Sequence, residues 1–158
     1  MKVALIVYSQ TGHTKSVAEK IRSALITEGH VADYIPVTHQ PKENNDNPME
    51  KVVFSDMPDL SDYDFFVFGS YVEAFNLCRV FQQYLKQLDS ANKKAACLTT
   101  QQFMKSWLGG NAAQKKMKKL LSEKGYDVVG GGHVNWKDEE GRDERIEKAA
   151  EKIVSLIK

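Results

Sequence analysis

Apolar and polar positions along the chain fall into two alternating kinds of run. Residues 2–8 form an almost unbroken β-branched and apolar series closed by polar residues, the pattern of a strand buried on both faces. Over 14–28, Val17, Ile21, Ala24 and Leu25 recur at helical spacing, and Gly29 stands where a glycine ends a helix. Residues 31–37 read as a second strand, while the polar stretch after it, with Pro41 and Pro48, has no helical stripe. "YDFFVFG", 63–69, predicts a third buried strand, followed by a helix face of Leu77, Val80, Phe81, Tyr84, Leu85 and Leu88. A fourth strand over 94–100 precedes a helix striped by Ala113, Met117, Leu120 and Leu121 and ended by Gly125. Residues 127–134 give a fifth strand, and Ile146, Ala149, Ala150, Ile153 and Leu156 a last helix.

Five strands alternating with at least four helices predict an α/β domain with a doubly wound parallel sheet and helices on both faces, because each parallel crossover must return the chain to the same edge. The length, residues 1–158, suits one core and one domain. Ligands of such a sheet bind at the carboxyl ends of its strands, where the winding reverses. That selects the loops 9–14, 70–76, 99–110 and 135–141.

Charge and cysteine usage narrow the function classes. Lys plus Arg number 22 and Asp plus Glu 21, so the net +1 offers no general attraction to nucleic acid or to an acidic membrane. The opening apolar run is short for a signal peptide, and no span reaches transmembrane length. Cys78 and Cys97 lack CxxC spacing, and the four histidines are scattered, so a reduced, cytoplasmic protein without a zinc site is expected. The lysines of "KKMKK", 115–119, flank a core Met117 and belong to a solvated face.

The loop "YSQTGHT" carries the chemistry. It joins the first strand to the first helix, where backbone N–H groups have no intrahelical partner and the aligned dipoles add about half a positive charge. Ser9, Thr11 and Thr14 offer hydroxyls, and Gly12 permits close approach or a positive φ, so the turn suits a phosphate. Neither GxxxxGK nor GxGxxG is present, which argues against a P-loop and a dinucleotide fingerprint. The run Gly130 to Gly132 has no helix behind it and reads as a bulge or a close backbone approach. No GxSxG elbow occurs, and Ser9 with the pair Gly69 and Ser70 stands where a phosphorelay receiver needs acids.

Ser9, Thr11, Gly12 and Thr14 match the pattern Ser/Thr-x-Thr-Gly-x-Thr, and with "LSDYDFFVFGS" the whole chain resembles the flavodoxin family. The resemblance implies strand order 2-1-3-4-5 and FMN as cofactor. It places the phosphate at Ser9, Gln10, Thr11, Gly12, His13 and Thr14. The flavin ring would lie against Ser70, Tyr71, Val72, Glu73 and Phe75, then Thr99, Thr100, Gln101 and Phe103. Trp107 and Trp136 are either lids or core fillers.

The second loop, "GSYVEAFN", departs from the family pattern, with Glu73 where an aromatic is usual and no glycine for a positive φ; Asn76 alone suits one by residue type. The chain is also less acidic than the family's electron carriers. The implied function is electron transfer between a reductant and a redox partner protein or small acceptor. Two alternatives stand beside it: a binding module whose ring site has degenerated, and an NAD(P)H-dependent quinone reductase. Oligomeric state stays open.

Overall fold

The computed structural model describes residues 1–41, 50–102 and 109–158. The elements run β1 (Lys2–Val7), α1 (His13–Thr27), β2 (Val31–Pro36), β3 (Phe65–Glu73), β4 (Asn76–Leu77), α2 (Arg79–Gln87), β5 (Lys94–Gln101), α3 (Gly110–Glu123), β6 (Asp127–Asn135) and α4 (Arg142–Val154). Five strands pair in parallel in the order β2-β1-β3-β5-β6, and the two-residue β4 folds back antiparallel on β3. Without that short addition the order is the expected 2-1-3-4-5.

Strand alternation sorts the central strands between two cores. Val3, Leu5 and Val7 of β1, with Phe65 and Val67 of β3, join Val17, Ile21 and Leu25 of α1 and Ala149, Ala150 and Ile153 of α4. Their neighbours Ala4, Ile6, Phe66 and Phe68 join Phe81, Tyr84 and Leu85 of α2 and Met117 and Leu121 of α3 on the opposite face. Helices therefore cover both faces, and the fully apolar runs of β1 and β3 are explained by burial on each side.

Register aligns the ends that matter. Val7 lies opposite Gly69, Gly69 opposite Leu98, and Thr100 opposite Val134, so the loops after β1, β3, β5 and β6 emerge along one rim. From β1 the chain winds to β2, and from β3 it winds the other way to β5 and β6. The reversal lies between β1 and β3, which opens a crevice at that rim.

Two local features sharpen the sequence reading. The β5–β6 ladder passes from Ala95–Val128 to Ala96–Gly130, leaving Val129 as a bulge beside the glycine run. The third strand extends past its expected end at Gly69 to Glu73, because Ser70 and Tyr71 continue the ladder opposite Thr99 and Thr100. Among the described residues no helix is long and apolar enough to cross a membrane.

Candidate functional site

The first loop leaves the rim with its backbone donors open. Tyr8 N–H donates to the Gly69 carbonyl at 3.0 Å, which holds β1 against β3 up to the last residue before the turn. Gly12 then takes φ +86° as the residue preceding α1, and its carbonyl accepts the first helical bond from Ser16 N–H at 2.9 Å. No side chain caps this end, and no acid occupies the first turn. Ser9 Oγ lies 3.4 Å from Lys15 N, a long contact that only partly satisfies that donor. The first turn of a fifteen-residue helix thus presents its N–H groups and dipole to the crevice.

A pocket of about 120 Å³ adjoins this turn. Gln10, Thr11 and His13 line it from the first loop, Tyr71 and Val72 from the second, and Thr100, Gln101 and Gln102 from the third. Three loops far apart in sequence meet there, as the register requires.

Several predicted residues direct their side chains into the fold instead. Thr14 is buried, and its hydroxyl shares a 2.8 Å hydrogen bond with that of Thr100, tying α1 to β5. Thr99, one residue before Thr100, faces the opposite side of the sheet by strand alternation and meets His133 Nδ1 at 2.7 Å. Gln114 of α3 donates to Thr99 Oγ1 at 3.1 Å and to the Gly132 carbonyl at 2.6 Å. Asn135 Oδ1 receives Gln101 Nε2 at 2.7 Å and His133 Nε2 at 3.2 Å. This polar network supports the floor of the third loop. Burial lowers the His133 pKa from 6.5, against a smaller upward pull from Asn135.

In the second loop, Tyr71 is half-buried and stacks on Tyr8, ring centres 5.9 Å apart. His39 Nδ1 donates to the Gln40 carbonyl at 2.7 Å, and its Nε2 lies 3.0 Å from the Tyr8 hydroxyl. Burial, then the Cys78 side chain, raises the Tyr71 phenol far above its usual range. Burial likewise pushes the Cys78 thiol up to about 11, so it is a packing residue rather than a nucleophile. Ser70 is fully buried, and its hydroxyl has no partner among the described residues.

The tip of this loop is strained. Glu73 and Asn76 pair across a two-residue turn in which Ala74 has φ 49° and Phe75 φ 64°. Positive φ at both positions marks a type I′ hairpin, which favours Asn-Gly. The strain falls on Ala74 and Phe75, not on Asn76, whose side chain accepts from Leu77 N–H at 2.8 Å. Gly109 permits the arrangement, since a Cβ there would lie 2.7 Å from Phe75 Cα. Phe75 remains 57% exposed and Glu73 is also exposed, so an aromatic face stands at the rim rather than in the core. Replacing the pair by Asn-Gly is expected to raise stability by about 1–2 kcal/mol, measured by urea unfolding; an unchanged midpoint would contradict the strain.

Gln102, within the selected loop 99–110, lines the pocket, and sequence reasoning left Trp136 undecided between lid and core. Trp136 is half-buried and stacks on His13, which joins the fourth loop to the first. Phe103 and Trp107 lie outside the described residues.

The profile of the flavodoxin family matches residues 5–148. No curated protein matches the chain in sequence. Among solved structures, the chain is similar to a flavoprotein in complex with FMN from Lactobacillus acidophilus NCFM, with 18% identity, TM-score 0.68, and 94% of this chain and 98% of that one covered. Oxidised flavodoxin 1 from Bacillus cereus superposes with TM-score 0.68 at 21% identity, covering 99% of this chain and 97% of that one. Oxidised flavodoxin 2 from the same organism gives 0.66 at 19% identity, with 99% and 98% covered.

Proposed function

We propose, because the chain belongs to the flavodoxin family, that it binds FMN at the rim crevice and passes electrons to a protein partner or a small acceptor. The observation that carries this reading is the uncapped first turn of α1 beside the three-loop pocket. Its donors suit a phosphate, and the buried Ser70 hydroxyl, without a partner among the described residues, offers one more polar atom within β3. The residues present fit the cofactor on these grounds.

The pocket volume of about 120 Å³ is smaller than the roughly 300 Å³ of the smallest ordinary cofactor pockets. It suits the phosphate end, with the ring held at the exposed rim near Tyr71 and Phe75. When bound, FMN supplies the one- and two-electron chemistry, and the protein supplies position and electrostatics. Backbone N–H groups of His13 and Thr14 would hold the phosphate. Thr100 and Gln101, whose side chains bond Thr14 and Asn135, would form the floor under the ring, and the hairpin tip would shield one part of it from water.

Fluorescence titration of the purified protein with FMN and with riboflavin tests the reading. Quenching by FMN at micromolar or lower Kd, with riboflavin at least tenfold weaker, is the expected result, since the phosphate's charge-assisted bonds are worth about 1.5–3 kcal/mol each. A colourless protein indifferent to FMN would favour a binding module instead. Oxidation of NAD(P)H by the loaded protein without a partner would favour a quinone reductase.

A further inference from the structure

The first loop carries a histidine whose surroundings are built, and no step above uses its side chain. His13 is the first residue of α1, and its ring stacks on Trp136 with centroids 4.2 Å apart and planes 13° from parallel. Gln102 Nε2 donates to His13 Nδ1 at 3.1 Å, which makes the ring neutral with its proton on Nε2. That Nε2–H has no partner among the described residues, and the residue lines the pocket at the uncapped helix end. The first residue of α4 also meets this indole. The Arg142 guanidinium lies 4.9 Å from the Trp136 ring centre and donates to the Trp136 carbonyl. A cation, an indole and an imidazole therefore converge on a helix end that lacks any acidic residue in its first turn.

Resting on the FMN reading, we propose that His13 is the phosphate's proton-linked partner: in the free protein the ring is neutral, and arrival of the phosphate monoester draws one proton onto it. Nε2–H is already free to donate to a phosphate oxygen. Protonation at Nδ1 follows when the Gln102 amide rotates to present its oxygen as acceptor, and the stack on Trp136 keeps the ring in place throughout. The charge balance is simple, with one proton taken from solvent and none released elsewhere.

Electrostatics favours the same sequence. Partial burial first, and the Arg142 charge second, lower the His13 pKa below 6.5 in the free protein. Of the other elements against the ring, Gln102 and Trp136 are uncharged, and Lys15 on α1 directs its ammonium toward Tyr34, 5.9 Å from that ring. A dianion beside His13 reverses the balance, since an opposite charge within hydrogen-bond distance favours the protonated ring. The phosphate monoester has its own second ionisation near pH 6, so above about pH 7 both free partners have lost the proton that the complex retains.

Calorimetry of FMN binding at pH 8, in two buffers of different ionisation enthalpy, reads the uptake directly. We expect about one proton per FMN and a Kd that weakens by roughly tenfold per pH unit between about pH 7 and 9. His13→Gln should bind FMN with a Kd independent of pH in that range. NMR titration of the His13 ring, free and loaded, gives a readout needing no variant, and its pKa should rise by more than about 2.5 units, as full uptake at pH 8 requires. Binding without proton uptake, or equal uptake in His13→Gln, would overturn the inference and leave the FMN reading intact. Failure to bind FMN at any pH would overturn both.

Discussion

Replacing Gly12 by valine is expected to weaken FMN binding by about 100-fold while the protein stays folded. A Cβ at Gly12 meets nothing within 4 Å, so the new side chain clashes with no neighbour. Its cost lies in φ +86°, which a β-branched residue avoids. The chain relaxes by rotating the peptide between Gly12 and His13, and that rotation turns away the N–H groups that would meet the phosphate. Losing one or two charge-assisted bonds removes about 3 kcal/mol of affinity, or about two orders of magnitude in Kd. The global cost is only about 1–2 kcal/mol, a fall of a few degrees in Tm. Fluorescence titration and thermal unfolding measured on the same sample check both halves. An unchanged Kd would mean that this turn does not hold the phosphate.

The second large effect concerns the floor of the site. His133→Ala is expected to destabilise the fold by about 3 kcal/mol at pH 7.5. The substitution removes the acceptor of the Thr99 hydroxyl proton and a donor to Asn135 and opens a cavity beneath Gly110. The same histidine makes stability depend on pH. Because burial lowers its pKa below the unfolded value near 6.5, the unfolded chain binds the proton more readily. The contribution is complete above that value and is lost as pH falls below it toward the folded pKa. His13 acts in the same direction. Urea unfolding between about pH 5 and 8 should therefore show falling stability on acidification, with a shallower slope in His133→Ala. A wild-type slope that the substitution leaves unchanged would show that His133 is not held neutral by this network.

The five strands and the helices over both faces were legible because each signal is local. Val3 to Val7 and Phe65 to Phe68 are apolar at consecutive positions, which only two-sided burial explains, and both cores confirm it. Strand order was not legible from periodicity, and it entered through the resemblance carried by Ser9, Thr11, Gly12 and Thr14. The β4 hairpin escaped notice because Ala74 and Phe75 carry none of the Asn-Gly chemistry that marks a type I′ turn. Which of Thr99 and Thr100 faces the pocket depends on register, and a one-residue slip exchanges them. The convergence on His13 was hidden for a different reason. Gln102 lies 89 positions away in the chain, and Trp136 and Arg142 lie further still, so only the folded sheet rim brings them together.

The central claim is that open backbone donors at the start of α1 grip a phosphate. Amide NMR of the protein titrated with FMN, then with inorganic phosphate alone, tests it most directly. The account predicts large downfield shifts at His13, Thr14 and Lys15 with FMN, weaker shifts of the same amides with phosphate, and further changes at Tyr71 and Gln101 only when the ring is present. Binding of FMN that leaves those three amides unmoved would contradict it.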